Sequence, residues 1–265
     1  MRRPVVVLAL MVAAMAVFIV VQARRVPPRP LAVAPAAADS DAVDAGSPRQ
    51  AGPTPAGDGG LVSVQPSALP APRRDLAEIQ RRLADGERGT YIRELLLRRN
   101  DNNTRWPDRQ LEPLRVWVQP TSVLPDFHGS YPVRAREAFE RWTRVGIPVA
   151  FTFVVDSAAC DIPVVWVDKF DLQISGRTRW MHDQHWWIVG ASIEVALHHQ
   201  SGTPLDAPAI YAITLHEVGH VLGLDHTQDE SSIMAARVRV TDLSDSDEHT
   251  AQLIYSLPPG SVSKP

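Results

Sequence analysis

The sequence predicts an α+β fold, a short mixed sheet with helices packed on it and a helix closing the chain. Three observations carry this expectation. Residues 151–155 and 162–167 are runs rich in Val and aromatics, the composition of strands. Residues 132–145 place Ala135, Ala138, Phe139 and Trp142 on one face at helical spacing, while Arg134, Glu137, Arg141 and Arg144 cover the other. A second helical pattern begins at Asp206 as N-cap with Pro208 in the first turn, and carries Tyr211, Leu215, Val218 and Leu222 as a core-facing stripe.

Taken in order, the chain opens with an uncharged apolar run, residues 4–23, flanked by Arg3 and Arg24. About twenty apolar residues suffice to span a bilayer, so residues 1–25 read as a signal anchor. Val21-Gln22-Ala23 also fits a small-residue cleavage site, which would make the same stretch a signal peptide. Either outcome exports the remainder, anchored at the membrane or secreted. Residues 26–73 shift to Pro, Ala, Gly and small polar residues and read as a disordered linker, because they hold too few large apolar side chains to offset their ordering entropy. Residues 74–103 regain amphipathic helical character through Leu76, Ile79 and Leu83, a break at Asp85-Gly86, then Ile92 and Leu95. They are expected to pack as a helix on the following domain.

That domain is expected over residues 104–258. It begins with a strand at 114–118, continues through the helix and two strands already described, and adds a strand at 188–197, where Ile193, Val195 and Leu197 alternate with polar or small neighbours. A helix over 244–257 closes it, and the tail 259–265 is expected to hold no further domain. The net charge of −3 gives no electrostatic footprint for nucleic acid. Cys160 is the single cysteine, so no intramolecular disulfide is available, and its place before a strand reads as a small buried hydrophobe.

The chemistry concentrates in His216-Glu217-Val218-Gly219-His220-Val221-Leu222-Gly223-Leu224-Asp225-His226. Residues four apart stack on one helix face, so His216 and His220 can present imidazoles to one Zn²⁺. Gly223 permits positive φ, letting the chain leave the helix and deliver His226 as third ligand. Glu217 lies beside the ligands, where its carboxylate can act on a water in the open metal position as general base. Three histidines, a Glu and a Gly at these offsets are far more specific than any lone histidine.

These residues, with Met234 in Ser232-Ile233-Met234, resemble the metzincin metalloproteases, and Leu222 to Thr227 is most similar to the matrixins. Arg105-Trp106-Pro107 and the strand after it resemble the opening of a matrixin domain. The resemblance implies a zincin fold: a mixed twisted sheet with an antiparallel edge strand, a zinc-binding helix, a Met-turn and a C-terminal helix. It also implies one catalytic zinc on His216, His220 and His226, a hydrophobic floor from Met234, and hydrolysis of polypeptide substrates by Glu217-assisted attack of zinc-bound water. It further implies that the strand at 188–197 is the sheet edge on which substrate lies.

The sequence departs from the family at several points. No cysteine precedes Cys160, so no cysteine switch is expected. Ser192 and the adjacent His182-Asp183 pair depart from the pattern of a second, structural zinc, leaving His128, His182, His185, His198, His199 and His249 as expected loop histidines; neither a second zinc nor calcium is supported. Ser246 replaces the first of the paired acids in the closing helix, and Ala235-Ala236-Arg237-Val238 lacks the usual Pro and Tyr. The alternative reading is a membrane-tethered, zinc-containing module that binds polypeptide without turnover. Retention of Glu217 argues against it, since a structural zinc needs no base.

Overall fold

The computed structural model describes residues 61–65 and 69–264. The expected membrane segment at 1–25 and most of the linker lie outside the described residues, among which no helix is long and apolar enough to cross a membrane. The described part is built on a six-stranded sheet whose order is β1-β6-β7-β5-β3-β4. Its strands are β1 (Leu61–Gln65), β3 (Arg109–Val118), β4 (Val149–Phe153), β5 (Ile162–Val167), β6 (Gly176–Asp183) and β7 (Ile188–Ala196). Within this sheet only β6 and β7 pair antiparallel, and its other ladders are parallel.

Helices α3 (Tyr131–Thr143) and α4 (Ala207–Val221) pack against each other on the sheet, α3 over β3 and β4, α4 over β6 and β7. The stripe read from sequence is the buried face of α3: Ala135, Ala138, Phe139 and Trp142 are all fully buried. Small Ala residues let the helices approach, and Trp142 Nε1 donates to the Leu215 carbonyl of α4 at 2.8 Å. Phe139 meets Phe151 of β4 edge-on, with ring centroids 5.0 Å apart. A third layer comes from α1 (Leu76–Gly86) and α2 (Ile92–Arg98), which pack on the closing helix α5 (Asp245–Ser256). Ile79, Ile92 and Leu95 belong to the same hydrophobic core as the sheet, so no break in the core falls at residue 104. A two-stranded ladder of β2 (Asn102–Asn103) with β8 (Gly260–Ser261) ties this segment to the tail.

Several expectations are corrected. The strand at 188–197 is not the sheet edge: β7 lies between β6 and β5. The antiparallel partner of β7 is β6, second from that side of the sheet, a strand without a sequence signal because Arg177 and Arg179 alternate with small Gly176 and Thr178, leaving Trp180 as its one large buried apolar side chain. Residues 61–65, expected as linker, form β1 and run parallel to β6 from Leu61 beside Arg179 to Gln65 beside Asp183. There Leu-Val-Ser-Val interrupts the Pro/Ala composition with strand formers. Strand β3 begins earlier than expected, at Arg109, with a register shift between Arg109 and Leu114 that accommodates Pro113. Cys160 is half-buried at the end of a 3₁₀ turn, where its Sγ donates to the Ser157 carbonyl at 3.1 Å; it is not a core hydrophobe.

Candidate metal centre

Helix α4 starts where the capping residues predict. The Asp206 carboxylate accepts from Ala209 N at 2.8 Å, and Pro208 sits in the first turn where no donor is lost. Enclosed by α3, the sheet and the loop after it, the helix is buried from Ala212 to Val221, with His216 fully enclosed and His220 1% exposed. At its end Gly223 has φ +94° and lies so close to the Thr104 carbonyl that a side chain there would collide with backbone. Leu224 N returns to the Gly219 carbonyl at 2.9 Å, and the reversed chain brings His226 back to the helix.

The three imidazoles converge. His216 Nε2 lies 3.0 Å from His220 Nε2 and 3.2 Å from His226 Nε2, and the remaining edge of the triangle is 3.2 Å. A tetrahedral zinc with bonds of about 2.0–2.1 Å needs nitrogens roughly 3.3 Å apart. His216 Nδ1 faces the Ile233 carbonyl at 2.6 Å and His220 Nδ1 faces the Leu224 carbonyl at 3.1 Å. A carbonyl oxygen only accepts, so each Nδ1 carries the proton and each Nε2 directs a lone pair inward. Burial, then the neighbouring imidazoles, holds both histidines well below their usual pKa, so they are neutral at neutral pH. Converging lone pairs without a proton to share repel one another, and a bound cation removes the conflict. The donor set therefore fits Zn²⁺.

The Glu217 side chain is fully buried against β6, where Thr178 Oγ1 donates to Oε2 at 2.6 Å. Gly176 makes room: a Cβ at that position would overlap the Glu217 carboxylate. Among the described residues the three histidines form the one cluster of His, Cys, Asp or Glu able to hold a metal ion, and Glu217 is outside it.

Met234 is fully buried beneath α4, and Gly219 is what admits it, since a Cβ there would overlap the Met234 sulfur. The turn is fixed by Met234 N donating to Ser232 Oγ at 2.9 Å and by Thr227 N donating to the Met234 carbonyl at 3.0 Å. Asp247 of α5 braces it from outside, accepting from Ser232 Oγ and from Ile233 N at 3.0 Å. Ser246 Oγ reaches only Ser244 Oγ at 2.9 Å, so the single acid at 247 carries the brace.

Other histidines are accounted for elsewhere. His182 is not in a loop: it lies buried on β6, stacked on Trp186 with centroids 4.4 Å apart. His198 is buried between two carboxylates, Nε2 2.9 Å from Asp126 and Nδ1 2.8 Å from Asp168. A cavity of about 470 Å³ is lined by Ala209, Ala212 and Ile213 of α4 and by Val238 and Val240, with Asp206 and Arg239 among its polar members. Of these, Ala212 stands one helical turn before His216 on α4. Gly176 and Thr178 carry no signal in the sequence, since their place beside Glu217 is made by residues distant along the chain.

The mixed sheet, the helix with its two histidines, the returning third histidine and the buried methionine turn together fit the metzincin fold of zinc-dependent metalloproteases. Residues 129–256 match the model of the Matrixin family, Peptidase_M10, and the chain carries a matrixin-like catalytic domain with the zinc dependence of that family.

Proposed function

We propose that the chain hydrolyses peptide bonds internally in extended polypeptides, with His216, His220 and His226 as zinc ligands and Glu217 as general base. The observation carrying this reading is the convergence of the Nε2 atoms of His216, His220 and His226, with a buried carboxylate at the adjacent helix position 217 that is not part of the cluster. Zn²⁺ bound there would supply Lewis acidity, lowering the pKa of water and polarising the scissile carbonyl. Glu217 accepts the proton of the attacking water and passes it to the leaving amine. Thr178 and Gly176 hold the carboxylate in one place, and Met234 supports the helix between the two ligands. The apolar cavity beside Ala212 would take a substrate side chain, which argues for recognition of an apolar residue near the scissile bond.

Replacing Glu217 with Gln keeps the shape and removes the base. The variant is expected to bind one zinc per chain and to lose hydrolysis by about 10²–10⁴-fold, the usual contribution of a positioned base. Undiminished turnover would overturn the role of Glu217, and loss of zinc would make it a ligand instead.

A further inference from the structure

Helix α2 and the residue capping its end lie outside the stretch that matches the matrixin family, yet they hold the loop carrying His226 on both flanks. On the near flank the Arg99 guanidinium, its side chain 9% exposed, donates through Nη1 to the Gly223 carbonyl at 2.8 Å and through Nη2 to the Leu224 carbonyl at 3.1 Å. Its Nε stands 3.6 Å from the Asp225 carboxylate, and Asp225 accepts from the His226 backbone N at 2.7 Å. On the far flank the Glu94 carboxylate accepts from Thr227 Oγ1 at 3.1 Å and from Gln228 N at 3.0 Å. One step before α2, Tyr91 OH donates to Asp247 at 3.2 Å, the acid that also holds Ile233 N, and the Ile233 carbonyl fixes His216.

We propose that Glu94 and Arg99 are positioning residues for the third zinc ligand, fixing the 223–228 loop so that His226 meets the other two imidazoles. This rests on the metal role assigned above. A helix serving only to cover the core needs Ile92 and Leu95, which are buried, but has no use for charged groups ending on the backbone of the ligand loop. The planar guanidinium spans two successive carbonyls, a pattern that a single ammonium cannot reproduce. Partners behind metal ligands commonly change metal affinity by 10- to 100-fold when removed.

Zinc affinity is to be measured by chelator competition on the full chain carrying Glu94→Ala, Glu94→Gln or Arg99→Lys, each alone and combined with His226→Ala. The expected result is a loss on the order of 10-fold for Glu94→Ala and Arg99→Lys, with a smaller loss for Glu94→Gln. The visible spectrum of the Co²⁺-loaded Glu94→Ala protein should shift as the third imidazole loosens. With His226 already gone, the same changes should leave the residual affinity unaltered. Unchanged affinity in the single variants, or an equal loss in the His226→Ala background, would overturn the proposal. Failure of the unaltered chain to bind zinc would instead overturn the metal assignment itself.

Discussion

Gly219 and Gly176 show how single residues set the distances of the site. One admits the Met234 sulfur under the helix and the other admits the Glu217 carboxylate against β6. Neither role could be read from sequence, because the atom each glycine makes room for belongs to a distant part of the chain. The convergence of the three histidines was legible for the opposite reason: spacing on one helix and the turn at Gly223 fix it locally. Thr178 is the residue-scale test of the base. Thr178→Val keeps the shape and removes the donor to Glu217 Oε2, and a hydrogen bond to a charged group contributes about 1.5–3 kcal/mol. That predicts roughly 10- to 100-fold lower kcat/KM with zinc content unchanged; wild-type kinetics would show that the contact does not orient the carboxylate. His216 and His220 give a second prediction at this scale. Burial lowers both pKa values in the folded protein, whereas in the unfolded chain each imidazole titrates near its ordinary value of about 6.5. The metal-free protein should therefore keep its full stability above about pH 6.5 and lose it as pH falls, by up to about 2.7 kcal/mol per pH unit for two protons. Urea unfolding between pH 8 and 5 measures this, and a flat profile would contradict the neutral, buried histidines.

Among the elements, α3, α4, β5 and α5 were legible because each carries its own signal: a periodic apolar face, a cap or an unbroken Val-rich run. The capping box at Ser244 and Asp247 is one such local signal, and the same Asp247 then serves the Met-turn. Strand β6 was not legible, since what makes it a strand is pairing with β7 and the cover of α4. Its identity matters, because Glu217 lies against β6, whose outer edge would be the antiparallel margin of the sheet if β1 were absent. An extended polypeptide can add to such an edge by main-chain hydrogen bonds. In this chain β1 already takes that edge from Arg179 to Asp183. Deleting residues 61–65 is accordingly predicted to raise kcat/KM for an unfolded protein substrate, chiefly through a lower KM. An unchanged or lower rate would mean that substrate reaches the centre without using that edge.

For the molecule as a whole, the α+β class, the order of its principal strands and helices and the packing of residues 74–103 on the following domain followed from patterning, while the elements they pack on and the reach of Glu94 and Arg99 to the loop carrying His226 did not. Amphipathic spacing shows that a helix has a buried face but not which surface covers it. Here α1 and α2 share the core of the sheet and the closing helix, and through Arg99 and Glu94 they reach the ligand loop. Fold and metal are thus coupled, since an ion that binds only the folded form stabilises it by RT ln(1 + [L]/Kd). The most direct test of the central claim is a titration of Zn²⁺ into the metal-stripped full chain, following cleavage of an unfolded protein. The account predicts no cleavage without metal and a linear rise that breaks at one zinc per chain. Cleavage that persists in chelator, or full zinc loading without any cleavage, would contradict it.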